Sequence, residues 1–201
     1  MEINEYFKVV KKNLDLINQS EIQNFVDFIL EAYNRNKMIF IIGNGGSASN
    51  ATHLAEDLSK GTILDQFNDK RIRALSLTDN FSYISAISND DGYDMIFESQ
   101  LRTYALEGDC LIAISGSGNS KNIIKAVEFA RKKKIKIFGV TGYDGGKLKK
   151  LSDFCIHIPL NEMCMVESMH SVIFHFVTTV IRKKLSGIEL DDSYFSNCKT
   201  D

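Results

Sequence analysis

Met38-Ile39-Phe40-Ile41-Ile42-Gly43-Asn44-Gly45-Gly46-Ser47-Ala48-Ser49 is the stretch that decides the fold. Its five leading residues are apolar without interruption, the pattern of a strand buried on both faces in a parallel sheet. The glycines that end the run let the backbone turn sharply and approach a ligand closely. A helix opening at Ser47 presents free N–H groups to an anion, and a phosphate is the natural guest.

Working outward, residues 110–114, 135–140 and 154–158 repeat the unbroken apolar pattern, and 74–77 is a weaker fifth. Helical stretches at 47–59, 94–106, 119–131 and 165–184 separate or follow these runs. Strands alternating with such helices imply right-handed crossovers, a parallel sheet covered on both faces, and ligands at the carboxyl ends of the strands. Residues 2–36 read as two helices, with Tyr6, Val9, Leu14 and Ile17 on one and Ile22, Phe25, Phe28, Ile29 and Tyr33 on the other. Ser20 and Gln23 form a capping-box signature for the second. The expected organisation is one domain over 1–201: a helical arm at 1–36, an α/β core at 37–185 and a short acidic tail at 186–201.

Composition limits the function classes. The 201 residues carry a formal charge of -2, which argues against nucleic-acid binding by bulk electrostatics. Thirteen glycines against one proline and no tryptophan disfavour a turn-rich β fold. No apolar run reaches membrane-spanning length and the N-terminus carries charges throughout, so the expectation is a cytoplasmic protein without a membrane partner. The four cysteines lie far apart without a C-x-x-C pair, and Cys110 and Cys155 sit in apolar runs as small buried residues. Lys132-Lys133-Lys134 ends a helix, where cations suit the macrodipole.

The turn at Gly43 formally matches a dinucleotide-binding pattern, which expects an acidic residue about 20 positions on. Residues 64–68 look like loop instead, and Asp79 lies 36 positions beyond Gly43, so the spacing fits poorly. No Gly-Lys-Ser/Thr follows, which disfavours a nucleotide P-loop. A second turn, Ser115-Gly116-Ser117-Gly118-Asn119-Ser120, follows another strand and leads into another helix. Its hydroxyls and amides suit a phosphate without a lysine, alongside a capping role for Ser117 to Ser120.

These two turns, with Ala86-Ile87-Ser88-Asn89-Asp90 and Val140-Thr141-Gly142-Tyr143-Asp144-Gly145-Gly146, resemble the sugar isomerase (SIS) domain. More narrowly, the sequence from about residue 3 to 185 resembles the phosphoheptose isomerases, which convert sedoheptulose 7-phosphate to a heptose phosphate for lipopolysaccharide or capsule. The resemblance implies a three-layer, doubly wound, five-stranded parallel sheet of flavodoxin-like order, and a homotetramer with active sites between subunits.

His53 and Asp57 are four apart and share a helix face. Glu167 and His175 are eight apart, about 12 Å along a helix axis, and would meet one ion only from an irregular helix start or from different subunits. The resemblance carries the family's four-residue acid-base and zinc set onto His53, Asp57, Glu167 and His175. It makes Asp57 the base at carbon, His175 the acid-base partner at the oxygens, and His53 and Glu167 the groups positioning a metal or the substrate. Asp57 is one methylene shorter than the family's Glu, and Glu167 replaces a Gln. The stretch 161–165 also lacks the family's Asp-Arg pair, which leaves a different sugar open. The implied substrate contacts are Asn44, Gly45, Gly46, Ser47, Ser115, Gly116, Ser117 and Ser120 for phosphate and sugar chain, with Asn89 and Asp90 on hydroxyls. His157 and His170 read as structural. Two alternatives stand beside the heptose enzyme: an isomerase of another phosphorylated sugar, and a non-catalytic SIS module of the replication-initiator-associating type.

Overall fold

The five apolar runs are five parallel strands of one sheet: β1 Met38–Ile42, β2 Arg73–Ser76, β3 Cys110–Ser115, β4 Lys136–Thr141 and β5 Phe154–His157. The computed structural model describes residues 2–15, 17–63 and 70–187. The strand order is β2-β1-β3-β4-β5, the flavodoxin-like order. Its topological switch point lies between β1 and β3, where a doubly wound sheet opens a crevice at the strands' carboxyl ends. Ile42 pairs with Ala113 at the end of that shared register, so the turns after β1 and β3 emerge side by side.

The unbroken apolar runs sort by alternation into two cores. Ile39 and Ile41 of β1, Ile112 and Ile114 of β3 and Phe138 of β4 face helices α2 (Gln19–Asn34), α3 (Gly46–Glu56) and α8 (Met163–Ser186). Phe40, Ile42, Leu111, Ala113 and Ile137 face α5 (Ile96–Tyr104), α6 (Lys121–Lys132) and the short α7 (Gly146–Leu151). Phe25 of α2 meets Phe138 with ring centroids 4.4 Å apart. Cys110 is buried, which pushes its thiol up to about 12, and burial also raises Cys155.

Several local features depart from the sequence expectation. The second N-terminal helix is capped by Asn18, whose side chain accepts from the Ser20 amide, while Gln23 bonds Asp27 on the exposed face. Asn reaches the free amide from one residue before the helix, so the Ser20/Gln23 box is not formed. The first, α1 (Ile3–Leu14), buries no residue fully and touches the core through Val10 and Leu14. Residues 81–90 form an additional helix, α4 (Phe81–Asp90), capped by the Asn80 side chain on the Tyr83 amide. A 3-10 turn, Tyr93–Met95, precedes α5.

By length and composition, α8 qualifies as a membrane span, with mean hydropathy 1.4 over its most apolar window. Half of that window is buried in the protein, where Met165, Val166, Met169, Ile173, Phe174, Val177 and Ile181 supply one side of the core. Gly187, in left-handed backbone at φ 70, terminates the helix. The expected loop at 64–68, nearly all of the acidic tail and Cys198 lie outside the described residues.

Candidate active site

Both predicted phosphate turns stand at the switch point, each built from a buried strand end. After β1, Gly45 takes φ 55 and ψ -124 as the N-cap of α3, and its carbonyl accepts from the Ala48 and Ser49 amides. Ser47 is buried in the first helical turn. A Cβ on Gly43 would run into the Ser47 carbonyl, so that position is glycine for close backbone packing. After β3, Gly118 donates its amide to the Ser115 carbonyl and hydroxyl at 3.0 and 3.2 Å. Ser117 accepts from the Asn119 amide. Ser120 occupies the N-cap of α6 without a side-chain capping bond, contrary to the capping role expected of it. Its hydroxyl stands 3.5 Å from that of Ser115.

Asn44, expected at the substrate, also braces the site internally. Its carboxamide exchanges hydrogen bonds of 2.9 and 2.8 Å with Asn122 of α6 and accepts from the Tyr93 hydroxyl at 2.9 Å. These bonds join the first turn, the helix behind the second, and the 3-10 turn. The glycines at 142–146 serve a similar internal purpose. Gly142 donates to the Gly116 carbonyl, Leu148 to that of Gly118, and a Cβ on Gly118 would strike the Gly145 carbonyl. The third turn thus backs the second.

Helices α3 and α8 run side by side in the same direction, with Gly46 against Glu167 and Asn50 against Ser171. His53, Asp57 and His175 converge. Asp57 Oδ2 lies 3.9 Å from His53 Nε2 and 4.0 Å from His175 Nε2, and the imidazole rings meet edge-on at 4.9 Å. The two histidines are about half exposed, while the Asp57 side chain is 18% exposed. One nitrogen from each histidine and one Asp57 oxygen all fall within 4.8 Å of one another, a possible metal-binding cluster. Two imidazoles and a carboxylate facing an open side suit a divalent ion of the zinc type, which in catalytic sites takes three protein ligands.

Glu167 does not join them. The α8 helix is regular from Met163, so Glu167 sits two turns from His175, and its carboxylate rests against Gly46 at the start of α3, where a Cβ would collide with it. Between the two ends, Asn50 donates to the Glu167 carbonyl at 3.3 Å and accepts from Ser171 at 3.2 Å. Asn50, Ser171, Asn122 and Tyr93 were not singled out in the sequence. Asn50 lies three residues before His53 and Ser171 four before His175, a helical spacing that marks them as neighbours of the site. Asn89 and Asp90 are exposed at the end of α4, with Asn89 Nδ2 bonded to Asp90 Oδ1 at 2.8 Å.

His157 and His170 lie apart from this group, both on Thr141. His157 Nδ1 is 3.1 Å from the Thr141 hydroxyl, and His170 Nε2 is 3.2 Å from its carbonyl. Burial drives the His170 imidazole down to about 4, so it is neutral.

The comparisons with known proteins agree with this architecture. The family profile described as the SIS domain matches residues 5–142. A phosphoheptose isomerase of Clostridium acetobutylicum is 37% identical over 86% of this chain and 86% of its own. One of Aneurinibacillus thermoaerophilus is 39% identical over 78% and 77%. The structure of a phosphoheptose isomerase from Neisseria gonorrhoeae superimposes with a TM-score of 0.80 at 28% identity, covering 89% of this chain and 96% of the other. With a matching profile, a shared fold and relatives of this identity along most of its length, the chain belongs to the SIS-domain family and, within it, to the phosphoheptose isomerase family.

Proposed function

We propose that the protein is an aldose-ketose isomerase that converts sedoheptulose 7-phosphate to D-glycero-D-manno-heptose 7-phosphate. The observation that carries this is the placement of one carboxylate between two imidazoles where α3 ends against α8, on the same helix whose start, about 16 Å back along the axis, forms the first of the two hydroxyl- and amide-lined turns. The relatives that bear the phosphoheptose isomerase name supply the substrate.

The reaction moves one proton between adjacent carbons through an enediol. Asp57 removes the proton from the carbon beside the carbonyl, and His175 donates one to the carbonyl oxygen, giving the enediol. His175 then takes the proton from the neighbouring hydroxyl while Asp57 returns its own to the former carbonyl carbon. Ser47, Ser115, Ser117 and Ser120, with the amides around Gly45, Gly46 and Gly116, hold the phosphate, and Asn89 and Asp90 bond sugar hydroxyls. His53, Asp57 and His175 would also be able to hold zinc, which would polarise the carbonyl oxygen; an atom that binds the metal cannot carry the proton, so this is an alternative to the acid-base roles above, and Glu167 would serve the sugar. Ile3 and Phe7, 66% and 58% exposed on α1, and Phe176 on α8 support assembly as a homotetramer. The cytoplasm and synthesis of a lipopolysaccharide or capsule heptose complete the proposal.

Incubating the purified protein with sedoheptulose 7-phosphate, with and without added zinc, tests it directly by the appearance of an aldoheptose phosphate. Asp57→Asn and His175→Ala are each expected to lower kcat by about a hundredfold or more, since each removes a proton-transfer group. Turnover unchanged in either variant would refute the mechanism. Turnover of another ketose phosphate alone would refute the heptose assignment.

A further inference from the structure

Asp57 stands where α3 passes into a different turn: its own backbone is helical and its N–H still bonds the His53 carbonyl, but the chain beyond it widens. Asp57–Gly61 is a π-helical turn that continues α3. Such turns are rare and often mark functional sites, because the wider backbone re-aims the side chains on it. The last carbonyls of a helix also lack intrahelical partners. Here the Gly61 carbonyl accepts a 2.6 Å hydrogen bond from Arg182 Nε, a charge-assisted and therefore strong contact. Arg182 lies seven residues beyond His175 on α8, which puts both on one face of that helix.

The same arginine borders the carboxylate. A Cβ built on Gly61 would stand 3.2 Å from Asp57 Oδ1 and 3.6 Å from Arg182 Nη2, so the two side chains close over one glycine. The Asp57 carboxylate is thereby divided. Oδ2 faces His53 and His175, and Oδ1 faces Gly61.

We propose that Arg182 is a positioning residue for Asp57: its bond to the Gly61 carbonyl fixes the π-helical turn, and Gly61, packed against Asp57 Oδ1, holds the carboxylate in the orientation that turns Oδ2 to the two histidines. The Asp57 backbone stays in helical register with His53, so what is left to fix is the orientation of its carboxylate, and the packed turn fixes it. The consequence for turnover rests on the isomerase function above; the geometry does not.

Two measurements on Arg182→Ala, made beside the full wild-type chain, test the proposal. Amide hydrogen exchange at residues 57–62 is expected to rise about tenfold, with β1 and β3 unchanged, as the turn loses its lock. The kcat for sedoheptulose 7-phosphate is expected to fall about 10- to 100-fold with KM within about threefold, the signature of a misplaced reacting group. Asp57→Glu is expected to lose activity in the wild-type background and to lose less in Arg182→Ala, where the turn is free to adjust. Faster exchange with kcat unchanged, or a kcat loss without faster exchange, overturns the proposal. If the alanine variant does not fold, Arg182→Lys carries the same pair of measurements, since lysine keeps the charge but lacks the Nε donor. A wild type without turnover would instead refute the isomerase function, and the exchange result alone would then decide whether Arg182 locks the turn.

Discussion

At the residue scale, Gly46 and Glu167 define each other. Gly46 has ordinary helical backbone, so it is glycine for room and not for conformation, and the room is filled by the Glu167 carboxylate. Gly46→Ala is expected to displace the Glu167 carboxylate, which offsets part of the gain in helix propensity that alanine brings. Adding Glu167→Ala should remove the conflict, so a double-mutant cycle in thermal unfolding is expected to show coupling of about 1 kcal/mol or more. Additive effects would mean that the two do not touch. The sequence carries half of this. It marks Gly46 as part of a phosphate turn from its neighbours and marks Glu167 by resemblance, but nothing local pairs a glycine with a glutamate 121 positions away. Gly142 and Gly146 make the same point. They belong to a motif that resembles the SIS domain, and the surface that excludes a side chain there belongs to Val166, Asn119 and the second turn.

At the scale of elements, strands β1, β3 and β4 are the legible part, because burial on both faces leaves an unbroken apolar run that no helix here imitates; β2, an edge strand with Arg73 and Leu75 exposed, gives the weaker signal. The i,i+4 pair His53 and Asp57 was legible for the same reason: period alone fixes its face. The approach of His175 to that pair was not, since it depends on α8 lying alongside α3 in one particular register. The π-helical turn and α4 were also hidden, one being a hydrogen-bond choice and the other a helix with no fully buried residue. Register between elements is held by polar struts such as Asn44 and Asn122. Asn122→Ala removes three side-chain bonds, two with Asn44 and one accepted from the Ile123 amide, about 0.5–1.5 kcal/mol each. Loosening the two turns relative to each other should raise KM for the phosphosugar about tenfold while leaving kcat within about threefold. A fall in kcat with KM unchanged would show that the strut serves the acid-base groups and not the phosphate turns.

For the whole molecule, the buried histidine sets how stability responds to acid. His170 is fully buried and neutral, with Nδ1 lacking a partner among the described residues and Nε2 on the Thr141 carbonyl. Its folded value of about 4 lies below the ordinary 6.5, so between these limits the unfolded chain binds the proton and the folded chain does not. Stability is therefore complete above about pH 6.5 and falls as pH drops toward 4, by on the order of 1.4 kcal/mol per unit at steepest. His157, also lowered by burial, adds in the same direction. Carboxylates held down by partners, such as Glu31 beside Lys136, add their losses only below about pH 4.5, which leaves the interval from 6.5 to 4.5 to the histidines. His170→Phe isolates the larger share. The ring is already stacked near Phe174, and the Thr141 carbonyl keeps its bond from the Ile158 amide, so the substitution orphans no backbone group. Urea unfolding at half-unit steps is expected to show a shallower acid slope for the variant than for the wild type from pH 6 to 4.5, with the two converging toward parallel curves above pH 7. Equal slopes across that interval would mean that His170 takes up its proton without unfolding, and that its burial does not govern the acid limit of the fold.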